Sequence, residues 1–195
     1  MRTPSETNLW KDYFNTEARS GQPVKPVRAR DFPKGLFGCL PQLHTVVDVG
    51  CNDGNAVAAL KEVGIQGYHG IDFAEEPVAI ARERYPLHRF DVCDMLEMGG
   101  KYPRRFDGFL LNSVLAFIPH SHAEKALRSL ALSLKTGAVG MLATTLGSGY
   151  VYTPHGVLYN YHRAELLELL RRTGFRHTDG YHVADKAIVF SLQYF

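Results

Sequence analysis

The pattern of hydrophobic and polar positions along the chain changes repeatedly between the period of a strand and the period of a helix. From Thr45 onward, short apolar runs, typical of strands buried on both faces, alternate with segments of helical periodicity. The predicted strands cover residues 45–49, 67–71, 89–92, 106–111 and 138–144, and the predicted helices cover residues 55–63, a segment opening near Pro77, 121–135 and 162–173. This order is typical of βαβ units in a mostly parallel sheet.

Two further apolar runs close the chain, at residues 175–181 and 186–194, with no helical segment between them. Strands joined without a crossover helix pair antiparallel. We therefore predict an α/β fold with a doubly wound, seven-stranded, mostly parallel sheet, an antiparallel final strand, and helices on both faces. Ser121 and Glu124 have the spacing of a capping box and predict the start of the helix over 121–135.

Two segments outside this pattern suggest a cover over the sheet. Residues 1–44 contain five prolines that interrupt any long helix, and they are predicted to form an N-terminal helical cap or lid on a domain of residues 45–195, in a single compact unit. Residues 146–160, rich in Gly and Tyr, form a predicted loop longer than ordinary connections. The candidate lid and substrate residues are the aromatic residues Trp10, Tyr13, Phe14, Tyr150 and Tyr152.

Composition narrows the functional class. A chain of 195 residues with 45% hydrophobic and 22% charged residues can bury a core in one domain. A net charge of +2, without a basic stripe, argues against a nucleic-acid partner, and no apolar run is long enough to cross a membrane. The three cysteines, Cys39, Cys51 and Cys93, match neither a zinc site nor a disulfide framework, so we expect reduced thiols, no metal, and a cytoplasmic protein. We expect the protein to be a monomer or a homodimer.

The turn after the first strand is the strongest candidate for a ligand site. In the segment 46–54, an apolar strand containing Asp48 runs into a turn with Gly50 and Gly54 at its ends. Glycine tolerates positive φ and lets a ligand approach the backbone closely. The dinucleotide fingerprint would need glycine at Asn52, and a P-loop would need a Gly-Lys-Ser/Thr ending, so both patterns are disfavoured.

This turn resembles the first motif of the class I S-adenosylmethionine-dependent methyltransferases, with Cys51 at a usual Cys or Ser position and Asn52 in place of the middle glycine. Asparagine visits the left-handed region at modest cost, so the turn can survive the change. The resemblance continues through segments at the ends of the next three strands. The residues it implies for cofactor binding are Asp48, Gly50, Cys51, Asn52, Gly54, Asp72, Phe73, Asp91, Val92, Asn112 and Ser113.

The resemblance implies particular roles for the later residues. Asp72 would accept from the ribose hydroxyls, with Phe73 against the adenine, and the alternative for Asp72 is a helix N-cap. Asp91 would accept from the adenine amino group, and Val92 would pack on the ring. For Asp48, a water-bridged contact to the cofactor ammonium competes with a structural role.

Methyl transfer is an in-line displacement, so it depends chiefly on alignment and needs a base only when the acceptor is protonated. Candidate catalytic residues are His120, His155 and Tyr159. The aromatic residues would suit an apolar or aromatic acceptor, or a cation held over aromatic faces, although they can equally pack the cap.

The function predicted is transfer of a methyl group to O, N or S of a small molecule. The alternatives are a non-catalytic S-adenosylmethionine-binding module and a Rossmann-like oxidoreductase.

Overall fold

A computed structural model describes residues 4–22, 27, 28, 30, 45–184 and 187–195. In chain order its elements are α1 (Pro4–Arg19), β1 (Val46–Val49), α2 (Val57–Glu62), β2 (Tyr68–Asp72), α3 (Glu75–Arg84), β3 (Arg89–Val92), α4 (Met98–Lys101), β4 (Phe106–Asn112), a 3₁₀ turn (Val114–Phe117), α5 (His120–Ser133), β5 (Leu134–Thr145), β6 (Tyr150–Thr153), β7 (Gly156–Tyr159), α6 (Arg163–Arg172), β8 (Phe175–Ala184) and β9 (Ala187–Tyr194).

The central sheet has seven strands in the order β3-β2-β1-β4-β5-β9-β8. Strands β1 to β5 pair parallel, and β9 pairs antiparallel with both β5 and β8. The predicted fold class is therefore confirmed. Strand order reverses beside β1, since β1 lies between β2 and β4, and ligands of open α/β sheets bind at such a switch point.

Alternate residues of β1 enter two different cores, as a strand covered by helices on both faces requires. Val47 and Val49 belong to a cluster that includes Leu127 of α5 and Leu166 of α6. Val46 belongs to the opposite cluster, which includes residues of α2 and α3. All four residues of β1 are buried, and this double burial explains the continuous apolar run in the sequence.

Two local predictions need correction. The predicted loop 146–160 contains a β-hairpin, β6 and β7, because aromatic and β-branched residues favour strands on both sides of its turn. Helix α5 begins at His120 after Pro119 with no side-chain cap, so the predicted capping box is absent. The Glu124 carboxylate instead pairs with Arg128 and Arg172.

Helix α1 is continuous over 16 residues and ends before the second proline of the chain. Pro4 is its first residue, where proline removes no intrahelical hydrogen bond. The other four prolines of this segment, Cys39, and the predicted boundary at residue 44 lie outside the described residues. The helix packs near the start of α3, where Asn15 Oδ1 accepts the Glu76 N–H at 3.0 Å and Lys11 pairs with Glu75. Among the described helices, none has the length and apolar character needed to span a bilayer.

Candidate cofactor and acceptor cavity

A cavity of about 540 Å³ opens at the carboxyl edge of the sheet. Residues that follow β1, β2, β3 and β4 form one side of it, and residues of α1 and of the β6–β7 hairpin form the other. Its volume falls within the range of about 300–1,000 Å³ that is usual for small-molecule sites. The cavity therefore lies at the ends of the parallel strands, where the sequence motifs predict a ligand site.

The turn after β1 brings backbone close to this cavity. Gly50 has φ +73°, and a Cβ at that position would lie 2.5 Å from Cγ2 of Val114, so only glycine fits without movement. Asn52 has φ +49°, the left-handed conformation expected of it. Its Oδ1 accepts the N–H of Asp53 at 2.7 Å, which holds the turn in that conformation.

Two predicted residues of this segment lie behind the cavity wall. Cys51 is fully buried, and it is a free thiol. Gly54 has φ +83°, and a Cβ there would meet the ring of Tyr85 at 2.8 Å. Gly54 therefore allows the turn to pack against the end of α3, and it contributes no wall to the cavity.

Asp72 ends β2 with its carboxylate at the cavity wall. Its Oδ2 accepts the N–H of Asn52 and its Oδ1 accepts the N–H of Ala74, both at 3.0 Å. Burial raises the pKa of Asp72, while these backbone hydrogen bonds oppose the rise. Each carboxylate oxygen can accept a second hydrogen bond, so the side chain can hold these two backbone N–H groups and still receive hydroxyl groups from the cavity.

Asp48 is buried in β1 and does not line the cavity. The hydroxyl of Tyr68 donates to its Oδ2 at 2.6 Å. Burial raises the pKa of Asp48 to about 7, aided by the charge of Asp72, although the Tyr68 hydrogen bond lowers it. Of the two roles open for Asp48, the structure supplies a partner for the structural one.

Asp91 and Val92 lie outside the cavity wall, which differs from the sequence prediction. Oδ2 of Asp91 accepts the Tyr102 hydroxyl at 2.8 Å and contacts Nε2 of His69 at 2.8 Å and Nε of Arg89 at 3.0 Å. Burial opposes ionisation of Asp91, but the hydrogen bonds from Tyr102 and His69 outweigh it and lower its pKa. The Asp91 carboxylate is thus committed to a network between β2, β3 and the end of α4.

Three residues after β3 line the cavity in its place: Cys93, Asp94 and Met95. Oδ1 of Asp94 accepts the N–H of Leu96 at 2.9 Å, which fixes the carboxylate at the start of this loop. Burial raises the pKa of the Cys93 thiol. The sequence prediction assigned the cofactor contact in this segment to Asp91. The presence of a second acid, Asp94, three residues later could have indicated the alternative.

A residue in the left-handed backbone region follows the end of β4. Asn112 and Ser113 both line the cavity, and Ser113 has φ +63°. Its Oγ donates to Oδ1 of Asn112 at 3.4 Å. A non-glycine residue in this region costs on the order of 1–3 kcal/mol, and such strain concentrates at functional sites.

Four rings, Trp10, Phe14, Phe73 and Phe117, form what we call the aromatic wall. Ring centroids lie 4.8 Å apart for Trp10 and Phe117, 5.3 Å for Phe14 and Phe117, and 6.0 Å for Phe14 and Phe73. Sequence reasoning missed Phe117, which stands alone in the 3₁₀ turn without a motif around it.

The hairpin lies against the same wall. A Cβ on Gly156 would lie 2.7 Å from the Trp10 ring, so glycine permits close contact between β7 and α1. The rings of Tyr13 and His155 lie 4.3 Å apart and join the two covering elements outside the cavity. Tyr152 and Tyr159 of the hairpin line the cavity, whereas Tyr150 does not.

The two candidate histidines do not reach the cavity. Nε2 of His120 lies 2.8 Å from the carbonyl oxygen of Asn160, to which it donates, and its ring packs 4.7 Å from that of Tyr161. His155 is exposed at the hairpin turn. Among the described residues, the cavity wall includes no histidine, lysine or arginine.

The predicted residues are thus divided between two places. Those that line the cavity are Trp10, Phe14, Gly50, Asn52, Asp72, Phe73, Asn112, Ser113, Tyr152 and Tyr159. Those that do not are Tyr13, Asp48, Cys51, Gly54, Asp91, Val92, His120, Tyr150 and His155.

Comparison with known proteins gives one family and many similar folds. Residues 46–137 match a family model described as a methyltransferase domain. A search of curated protein sequences finds no match.

Similar solved structures have low sequence identity. The 1,6-didemethyltoxoflavin-N1-methyltransferase of Burkholderia thailandensis, solved with 1,6-didemethyltoxoflavin and S-adenosylhomocysteine, has 20% identity and a TM-score of 0.81, over 100% of this chain and 91% of that one. Magnesium protoporphyrin IX methyltransferase of Synechocystis PCC 6803, solved with S-adenosylmethionine, has 18% identity and a TM-score of 0.74, over 100% of both chains. The [4+2]-cyclase SpnF has 16% identity and a TM-score of 0.70, over 82% of this chain and 79% of that one.

Proposed function

From the premise that this chain is a class I S-adenosylmethionine-dependent methyltransferase, we propose that it methylates an O, N or S atom of a small-molecule acceptor. The observation that carries the proposal is that one cavity of about 540 Å³ has the strand-end motifs on one side and α1 with the hairpin on the other. A cavity covered in this way suits a small acceptor better than a polymer. Both methyltransferases compared above are named for small compounds, which supports the same class.

The residues of the cavity fit the cofactor. Gly50 keeps the turn after β1 free of a side chain, so backbone can meet the ligand. Asp72 has unused acceptor capacity for a pair of ribose hydroxyls, beside Phe73 for the adenine face. Asp94 takes the role first assigned to Asp91, as acceptor from the adenine amino group.

Bound S-adenosylmethionine supplies a methyl group on a sulfonium sulfur, from which it can leave in a single displacement. The chain contributes alignment and exclusion of water. Asn112 and Ser113 border the reacting end, while α1 and the hairpin act as a lid. Of the three candidate catalytic residues, Tyr159 lines the cavity, whereas His120 and His155 do not. We assign to the Tyr159 hydroxyl the positioning of the acceptor rather than proton removal.

The test has a binding stage and a turnover stage. Calorimetric titration should show micromolar affinity for S-adenosylmethionine and none for NAD, and the opposite result would contradict the proposal. The chain is then incubated with S-adenosylmethionine and a panel of small acceptors, and S-adenosylhomocysteine is measured. Formation that depends on one class of acceptor supports methyl transfer. Binding without turnover on any of them favours the alternative without methyl transfer, since a similar fold also occurs in a [4+2]-cyclase.

A further inference from the structure

One part of the cavity wall is built largely from aromatic side chains. Trp10 and Phe14 come from α1, Phe117 from the 3₁₀ turn, and Tyr152 and Tyr159 from the hairpin. Trp10 is buried although it belongs to the covering helix. If the function proposed above is correct, this region receives the methyl acceptor.

The charges in the cavity wall are distributed unevenly. Its ionisable acids, Asp72 and Asp94, both lie at strand ends, and the described wall contains no lysine, arginine or histidine. A carboxylate or phosphate on the acceptor would lose water of hydration here without gaining a cationic partner. The cavity therefore disfavours an anionic acceptor.

The aromatic wall is held together by edge-to-face pairs. The ring planes of Trp10 and Phe117 meet at 79°, and those of Phe14 and Phe117 meet at 78°. This is a favourable arrangement for packed aromatic rings. Phe117 takes part in both pairs and is the centre of the arrangement.

We propose that the acceptor is an aromatic compound without an anionic group that packs against the aromatic wall at Phe117. Specificity on this view comes from aromatic packing and from the exclusion of negative charge. The proposal rests on the proposed function, but it can fail separately, because cofactor binding and acceptor binding are measured independently.

The experiment uses two aromatic probes that differ in charge. Quinoline and a quinoline carboxylate are titrated at neutral pH into protein saturated with S-adenosylhomocysteine, with ligand-observed NMR as the readout. We expect quinoline to bind, and the carboxylate to bind on the order of tenfold more weakly or not at all. Equal or tighter binding of the carboxylate would overturn the proposal, as would absence of quinoline binding.

Two matched substitutions locate the probe. Phe117→Leu should weaken quinoline binding by about 2- to 12-fold, the effect of one lost aromatic pair, while leaving affinity for S-adenosylhomocysteine within about threefold. Phe195→Leu changes an exposed ring outside the cavity and should leave both affinities unchanged. Equal quinoline affinity in the two variants would remove Phe117 from the acceptor site. Loss of S-adenosylhomocysteine binding in the unmodified protein would contradict the proposed function instead.

Discussion

Replacement of Gly50 by alanine tests whether the turn after β1 has room for a side chain. Two costs add. An L residue at φ +73° is strained by about 1–2 kcal/mol, and a Cβ 2.5 Å from Cγ2 of Val114 overpacks the turn by about 1–3 kcal/mol. We expect the free energy of unfolding, measured by urea denaturation, to fall by about 2–5 kcal/mol. Because the displaced backbone borders the cavity, calorimetry should also show S-adenosylmethionine affinity falling more than tenfold.

A matched control separates the two costs. Gly64 has φ +89° and nothing within 4 Å of a built Cβ, so Gly64→Ala carries the conformational cost alone, about 1–2 kcal/mol. The additional substitution Val114→Ala removes the atom that Gly50→Ala would strike, so the two changes should cost less together than the sum of each alone. The steric argument is refuted if Gly50→Ala destabilises no more than Gly64→Ala and leaves cofactor affinity unchanged.

Three further predictions concern the acids. Asp72→Ala should weaken S-adenosylmethionine binding by more than about 1 kcal/mol in calorimetry, and an unchanged Kd would remove Asp72 from the site. Asp48 has a folded pKa of about 7 against an ordinary 3.8, so the unfolded state loses its proton first and stability falls as pH rises through this range. Asp48→Asn should flatten that fall by up to about 4 kcal/mol, and parallel stability curves for variant and parent would contradict this. Asp91→Asn should lower stability by about 1–3 kcal/mol with little effect on cofactor affinity. Asp94→Asn should weaken cofactor affinity with little effect on stability. If instead Asp91→Asn weakens cofactor affinity and Asp94→Asn lowers stability, Asp91 is the cofactor contact.

Much of the fold follows from the order of short apolar runs and helical segments. The first strand could be predicted because both its faces are buried, which forces a continuous apolar run. The hairpin at residues 150–159 escaped prediction because its residues are half-buried or exposed and show no apolar face of their own. The start of α5 was predicted wrongly because Glu124 forms no capping box with the helix end. Its carboxylate pairs instead with Arg172, 48 positions away in the chain.

The candidate site was predictable where backbone conformation is local. Gly50 and Asn52 adopt positive φ, which glycine and asparagine tolerate better than other residues, so their residue types predict this conformation. Asp91 and Asp94 could not be told apart, because they are three positions apart and of one type. Their environments differ through His69 and Tyr102, which reach Asp91 from other elements.

The sequence by itself determined the parallel sheet, the tight turn after β1 and the acid at the end of β2, because each depends on the burial or backbone preference of neighbouring residues. Only the tertiary structure decided which acid after β3 borders the cavity and which aromatic rings form its wall. Trp10 meets Phe117 and Gly156 only after α1 and the hairpin fold over the sheet edge. Contacts between residues so far apart in the chain leave no period or spacing in the sequence from which they could be inferred.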